Sequence, residues 1–566
     1  ASCIEMQVQQ LLVLAGIVTL AHACSNFMAS SGATEDGSTF VSYSADAHNM
    51  YGFLDHYPAA DHKPGDMHEI HDYETGDLLG EIPEANHTYN VVGFMNEFGV
   101  TIGETTYGGV EELCGQDGAI IDYGSLMSIT LQRSKTAREA IVTMTSLANE
   151  YGYASEGESF SIGDPNEVWH MDLIGKGNFE LGVVWVAIRA PEGYVGAHAN
   201  QARITTWPRD DPDNVMWAEE IVDFAKTNGF YPESGKDEDF DFTAAFNPLV
   251  GENVRGCEAR VWSAFQYVTE GGMDDYLEYA KGLELDNRMP LFVKPTFALS
   301  LNDTKRIMRD HFEGTWFDFR SDVGAQAFNM PYRWRPLTFD VEGKRYINER
   351  SIATQQTAFG FVGQMRAWLP APISGILWFT CDDTATAVYA PMYGSMSRVP
   401  HAYAKGNGDL MDFSFESAFW VFNLVANWAY MRYELIYPEI AVQIFELEDF
   451  YQVTCATVDS TAADLYSKDP AAAVEYLTTF SEGAGNDLVE FWGEYWKYLV
   501  MKYLDGNVKY PNPDPNKSTP VVEWPGYPDE WYARIVDDAG AHYLDPDQPE
   551  AERATAGNSQ RVPHYW

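Results

Sequence analysis

Cysteine is scarce in this chain, with six in 566 residues (Cys3, Cys24, Cys114, Cys257, Cys381 and Cys455), widely spread and forming no CxxC pair. That excludes a zinc-ribbon framework and a disulfide scaffold. Positive charge is also scarce: 36 Lys and Arg stand against 84 Asp and Glu, a net charge of −48. Such a field repels nucleic acid and anionic lipid, so a DNA, RNA or polybasic-membrane function is excluded. One short apolar run lies near the start, and no other stretch reaches membrane-spanning length either. Internal repeats and a Gly/Ser-rich linker are missing too, which removes solenoids and loosely tethered domains. The remainder is globular, 45% apolar and 14% aromatic, and long enough for one large core or two ordinary domains.

The apolar run, residues 11–20, has the length of a signal-peptide core and is short for a transmembrane span. It lacks a basic region ahead of it. Ala21-His-Ala23 behind it is a small-x-small pattern that a processing enzyme accepts, so cleavage there would leave Cys24 first. A cysteine at that position carries a thiol and a free α-amine on one residue. The amine, with an ordinary pKa of about 7.7–8.0, can take the thiol's proton near neutral pH. Two simpler readings compete: a buried core cysteine, and the acylated cysteine of a lipoprotein. Lipoprotein signals usually carry Leu three residues before the cysteine, where this chain has Ala21. They also favour a flexible tether after it, whereas strand-like runs follow here at once, at 26–29 and 39–44. The expectation is an exported protein, periplasmic, cell-surface or extracellular, with a leader over 1–23.

From His48 to His87 lie six of the thirteen histidines. Pro58, Pro64, Gly65 and Gly76 break any regular element there, so loop hydrogen bonding is favoured over a metal site. A hairpin is expected over 89–107, then helices over 122–133 and from a Thr136-x-x-Glu139 capping box to Gly152. Strands follow at 159–162, 167–173, 182–188 and 194–204, the last ending in the polar cluster Asn200, Gln201 and Arg203. Helices are expected at 216–226, 257–267 and 303–312, the last with Asp303 as N-cap. Further strands fall at 352–362 and 375–381, an aromatic helix at 414–434, and more helices to about Tyr503. Arg260 stands among Val261, Trp262 and Phe265, where an arginine either pairs with a buried carboxylate or snorkels to water. Pro511, Pro513, Pro515, Pro520, Pro525 and Pro528 predict an irregular surface tail. Strands, paired helices and strands again give an α+β class with a helical layer on stacked antiparallel sheets. The parts divide as leader 1–23, catalytic core 24–410, helical extension 411–505 and tail 506–566.

Several runs together resemble the dipeptidase A family of cysteine peptidases. They are Cys24-Ser-Asn, Asp36-Gly-Ser-Thr39, Gly103-Glu-Thr-Thr-Tyr-Gly-Gly109, Asp164-Pro-Asn-Glu-Val-Trp169 and His198-Ala-Asn-Gln-Ala-Arg-Ile204, with Cys257–Trp262, Tyr332–Pro336 and Ala353–Thr357 later. The resemblance spans about residues 24–503. It implies an N-terminal-nucleophile (Ntn) hydrolase, an αββα four-layer sandwich with a C-terminal helical extension, acting on small peptides without metal or cofactor. By the same resemblance Cys24 is the nucleophile, Asp46 orients its amine, the Asn200 side-chain amide donates to the oxyanion, and Arg260 stands near the sulfur. Related amidases often carry an arginine three residues before that aspartate; here the position is Tyr43, which cannot supply a fixed positive charge. Glu104, Arg203 or Arg260 are candidates to meet a dipeptide's charged ends. No membrane insertion is expected after leader removal, and homo-oligomerisation is left open. Two other readings stay open: an amidase of the bile-salt or N-acyl amino acid type, and a lipid-anchored cell-surface binding protein without catalysis.

Overall fold

A computed structural model describes residues 23–547. The expected leader, apart from Ala23, and the tail beyond residue 547 lie outside the described residues. In chain order the main strands are β1 (Ala23–Ala29), β2 (Thr39–Asp46), β3 (Thr101–Gly108), β4 (Gly157–Gly163) and β5 (Val168–Gly175). Then come β6 (Val183–Arg189), β7 (Val195–His198), β8 (Thr357–Met365), β9 (Gly375–Cys381) and β10 (Ala390–Tyr393). Helices α1 (Tyr123–Arg133) and α2 (Ala137–Tyr151) separate β3 from β4; α3 (Gly251–Val268) and α4 (Leu301–Ile307) separate β7 from β8. After β10 run α5 (Ala418–Tyr430) and two long helices, α6 (Tyr433–Tyr466) and α7 (Pro470–Tyr503).

The strands make two large sheets. One has seven strands in the order Phe292–Val293, β7, β1, β2, β8, β9, β10; the other has eight, with β6-β5-β4-β3 at its centre. Every pairing in both sheets is antiparallel. β1 and β2 of the first sheet pack on β3 and β4 of the second. Helices α1 and α2 cover the outer side of the second sheet, while α3, α4 and α5–α7 cover the first. Strands β2, β8 and β9 are therefore buried along their whole length. The class is α+β.

Local chemistry explains most element ends. The Asp122 carboxylate accepts from the Gly124 and Ser125 amides and starts α1, and Thr136 accepts from the Glu139 amide and starts α2. At α4 the N-cap is Ser300, and Asp303 is its reciprocal capping-box partner three residues on; an aspartate three residues inside a helix resembles a cap when its serine is overlooked. The stretch 216–226 splits into a strand, Val215–Trp217, and a helix, Ile221–Thr227. The histidine-bearing stretch is more regular than expected, since Met67–His71 pairs with Leu78–Pro83 as a hairpin whose loop holds Gly76. Five of its six histidines have a hydrogen-bond partner: His56 meets Asn90, His62 meets Thr88, His68 meets Glu84, His71 meets the Gly76 carbonyl and His87 meets Asp61. The proline-rich tail carries a hairpin, Val508–Tyr510 with Val521–Glu523, and a helix, Asp529–Tyr543. Its prolines fall in the hairpin loop and just before the helix, where no backbone N–H is needed.

A buried ionic cluster fastens the long helices to the core. Glu448 of α6 meets Arg309 at 2.6 Å and Lys305 of α4 at 3.5 Å, and accepts from the Tyr389 amide at 2.9 Å. Lys305 also lies over the Trp378 ring, 4.2 Å from its centroid. Burial pushes the Lys305 ammonium down to about 8 against the pull of Glu448. Burial would raise the Glu448 carboxyl, but Arg309 and Lys305 hold it below its ordinary value. Removing the shared carboxylate strands two buried cations, so Glu448→Ala is expected to cost about 3–5 kcal/mol. Guanidinium unfolding followed by circular dichroism measures this; a loss under about 1 kcal/mol, the range of exposed pairs, would show the cluster to be hydrated and unimportant.

Candidate active site

Side chains alternate along β1, so Cys24 and Asn26 point between the sheets while Ser25 and Phe27 point toward the helical layer. Antiparallel register sets Cys24 opposite Ala45 and Asn26 opposite Tyr43. Asn26 Nδ2 donates to the Glu104 carbonyl at 2.6 Å, drawing β3 of the other sheet close. A side chain at Gly103 would come within 2.4 Å of Asn26 Oδ1, so only glycine permits this approach. Glu104 is thereby aimed back at β1. Cys24 Sγ, buried at 3% exposure, lies 3.6 Å from Glu104 Oε1 and 3.6 Å from the Tyr43 hydroxyl. The Tyr43 hydroxyl donates to the same Glu104 oxygen. Glu158 stands next to Glu104 and accepts from Thr106 Oγ1 at 2.8 Å. Burial, then the charge of Glu104, pushes the Glu158 carboxyl well above its ordinary range. Burial first, and the charges of Glu104 and Asp46 next, push the Cys24 thiol well up as well. The pocket around the sulfur thus favours the neutral thiol.

The Cys24 backbone nitrogen faces a different set of groups. β7 ends at His198, a buried ring held between Thr105 Oγ1 at 2.7 Å and Ser161 Oγ at 2.8 Å. Asp172 of β5 then accepts the Arg203 and Ile204 amides at 2.9 and 2.8 Å, pinning the following turn from both sides. Within it Asn200 adopts φ +60°, a left-handed conformation that asparagine tolerates better than most residues. Its Oδ1 accepts the Cys24 N–H at 3.1 Å, Arg260 Nη2 at 2.9 Å and Arg350 Nη2 at 2.9 Å. Its Nδ2 donates to the Thr106 carbonyl at 2.6 Å. Arg260, from α3 and almost fully buried, also donates to the Cys24 carbonyl, to Ser25 Oγ at 2.9 Å and to the Ala199 carbonyl at 3.2 Å. Asp46 closes the group at the end of β2, accepting from Thr357 Oγ1 at 2.6 Å. Burial raises its carboxyl to about 7, against the pull of Arg350 and the Thr357 bond.

Five of the six residues singled out in the sequence surround one point: Cys24, Asp46, Glu104, Asn200 and Arg260. Two occupy positions other than expected. Asn200 turns its amide oxygen toward Cys24, because two arginines donate to that oxygen and Thr106 takes the nitrogen. Arg203 is tied into a buried ion pair with Glu258 at 3.1 Å and donates to the Ala197 and Pro290 carbonyls, both at 3.1 Å. It fixes β7 against α3 instead of meeting substrate. Arg350, Arg335, Thr357 and Glu158 had no role assigned from sequence. Arg335 and Thr357 lie inside runs already noted as shared, Tyr332–Pro336 and Ala353–Thr357, but nothing local marks either as facing Cys24. Among the described residues all five cysteines are free thiols.

Residues 23–444 match the model of peptidase family C69. The chain is 24% identical over 402 residues to a probable dipeptidase of Latilactobacillus sakei, covering 67% of this chain and 76% of that protein. It is 22% identical over 491 residues to probable dipeptidase B of Streptococcus pyogenes serotype M1, covering 83% and 91% respectively. A probable dipeptidase of Salmonella dublin is 24% identical over 409 residues, 68% of this chain and 84% of that one.

Glu104 offers a direct test of the electrostatics. A carboxylate beside sulfur disfavours the thiolate, so Glu104→Gln is expected to move the Cys24 ionisation to lower pH. Peptide-resolved alkylation by iodoacetamide, followed against pH, reports that midpoint. A midpoint that stays put or rises in the variant would refute the assigned contact.

Proposed function

The chain belongs to peptidase family C69, and from that premise we propose that it is a cysteine-type dipeptidase whose nucleophile, Cys24, works from a newly exposed amino terminus. That it is a peptide-bond hydrolase follows from the family; the nucleophile, its processing and the choice of dipeptides are the proposal. The proposal includes the Ntn-hydrolase form of the fold, for which two facing antiparallel sheets with helices on both outer sides speak. The observation that carries it is the setting of the Cys24 nitrogen. Asn200 Oδ1, a neutral acceptor braced by two arginines, takes its N–H, and the Asp46 carboxyl stands nearby with its charge felt at Cys24. Once the bond to Ala23 is cut, the same acceptor holds an α-amine in place.

In this reading the neutral amine accepts the Cys24 thiol proton, and the sulfur attacks the scissile carbonyl to form a C–S bond. The amine then returns that proton to the departing nitrogen as the C–N bond breaks, leaving a thioester on Cys24. Water, deprotonated by the same amine, adds to the thioester; the acid departs and the thiol is restored. Asn200 orients the amine through its oxygen and does not serve as oxyanion donor. Glu104 and Tyr43 keep the resting sulfur protonated until the amine acts, a role opposite to that of the arginine found in related amidases. The proton therefore moves only when amine and substrate are both in place.

Two measurements test this. Intact mass of protein that cleaves an alanyl-leucine substrate is expected to show Cys24 as the first residue. Cys24→Ser is expected to lower kcat by about 10³-fold or more, as loss of a nucleophile does in other hydrolases. Dipeptide cleavage by protein in which residue 23 remains bonded to Cys24 would remove the proposed base and with it the mechanism.

A further inference from the structure

In a chain of net charge −48, three arginines, Arg260, Arg335 and Arg350, gather around the single carboxyl of Asp46. Arg260 and Arg350 both donate to Asn200 Oδ1, and neither forms an ion pair with a carboxylate among the described residues. Arg335, an exposed side chain next to them, forms no hydrogen bond or ion pair among the described residues. Arg335 and Arg350 line a small, partly open recess together with Arg333, Ser351, Thr354 and Gln355. The other charges on that wall are spoken for: Arg333 pairs with Asp322 at 2.7 Å, and Glu349 pairs with Arg255. What faces the recess is a pair of guanidinium groups with no ion-pair partner among the described residues, the buried Asp46 carboxyl being the one acid whose charge reaches both. Burial, then repulsion from Arg260, lowers the Arg350 guanidinium to about 9, so the cluster is held together against its own charge.

Such a cluster suits a planar anion, because guanidinium groups bind carboxylates through paired N–H donors. Resting on the dipeptidase reading above, we propose that Arg335 and Arg350 form the subsite for the free α-carboxylate of the dipeptide substrate. Position agrees with chemistry. In a dipeptide the carboxylate carbon is three bonds from the scissile carbonyl carbon, roughly 3–4 Å away by standard backbone dimensions. The group that recognises it must therefore adjoin the nucleophile. Arg350 does, since it and the Cys24 N–H end on the same oxygen atom. A tripeptide would put a neutral peptide carbonyl where this charge belongs. The arginines thus measure substrate length by charge.

The test compares alanyl-leucine with alanyl-leucinamide, which differ only in that carboxylate, on protein processed to Cys24. Wild type is expected to favour the free acid in kcat/KM. Arg335→Gln should cut the acid-to-amide ratio by about 10–100-fold, the span of a lost hydrogen bond to a charged group, mainly through KM for the acid. Arg335→Lys should restore part of the ratio, and Arg335→Glu should push it toward the amide. Arg350→Gln provides a second reading from inside the recess. A ratio unchanged from wild type in both glutamine variants, or a wild type that cleaves acid and amide equally well, overturns the subsite and leaves the dipeptidase reading standing. Failure of wild type to cleave either compound overturns both.

Discussion

One oxygen atom organises this site. Asn200 Oδ1 accepts from the Cys24 backbone, from Arg260 and from Arg350, joining three distant parts of the chain at a single acceptor. An amide oxygen has two lone pairs and no charge to lose, so it can collect donors without titrating. A carboxylate there would pair with the arginines and quench the positive field. The amide leaves that field intact while still fixing the Cys24 nitrogen. Everything behind Asn200 serves to hold it: the buried Asp172 that captures the next two amides, the His198 ring locked between two hydroxyls, and a left-handed backbone that asparagine tolerates.

The two sides of Cys24 have opposite character. Its sulfur lies among acids and a phenol, which favour the thiol. Its nitrogen lies beside two arginines and the amide oxygen that accepts its N–H. Sulfur and nitrogen belong to one residue at the start of a strand, so the strand itself separates the two environments: the side chain goes between the sheets and the backbone faces the turn after β7. A residue further along β1 would have its nitrogen tied into the ladder and unable to take part.

Much of this was legible in the sequence, for reasons that can be named. Strand and helix patterns were readable because both faces of the sheets are buried and the helices begin with side-chain caps such as Asp122 and Thr136. Cys24 could be picked out by its place behind the small-x-small pattern, whereas Asp46, Asn200 and Arg260 took their roles from the resemblance to the dipeptidase A family, and Glu104 was only a candidate for a charged end of the substrate. Arg350 could not be picked out: it stands in a stretch with no periodicity, and its meaning comes from folding 150 residues away from Asn200. Arg203 misled for the opposite reason, since an arginine in a polar cluster at a strand end looks free until its partner Glu258 is known. The direction of the Asn200 amide was beyond reach as well, because it depends on which donors surround it. In the tail, counting prolines overlooked that they cluster in turns and leave the segments between them free to pair.

The extent of the family match takes on meaning beside the buried ions described for the fold. Matched residues stop at 444, four short of Glu448, the carboxylate that neutralises Lys305 and Arg309 beneath the sheet. The segment that the family model matches is therefore not a unit that can stand alone in water. Cut at that border, the core would be left with two cations sealed in its interior and no counterion, and the long helices are better regarded as its missing half than as an appendage.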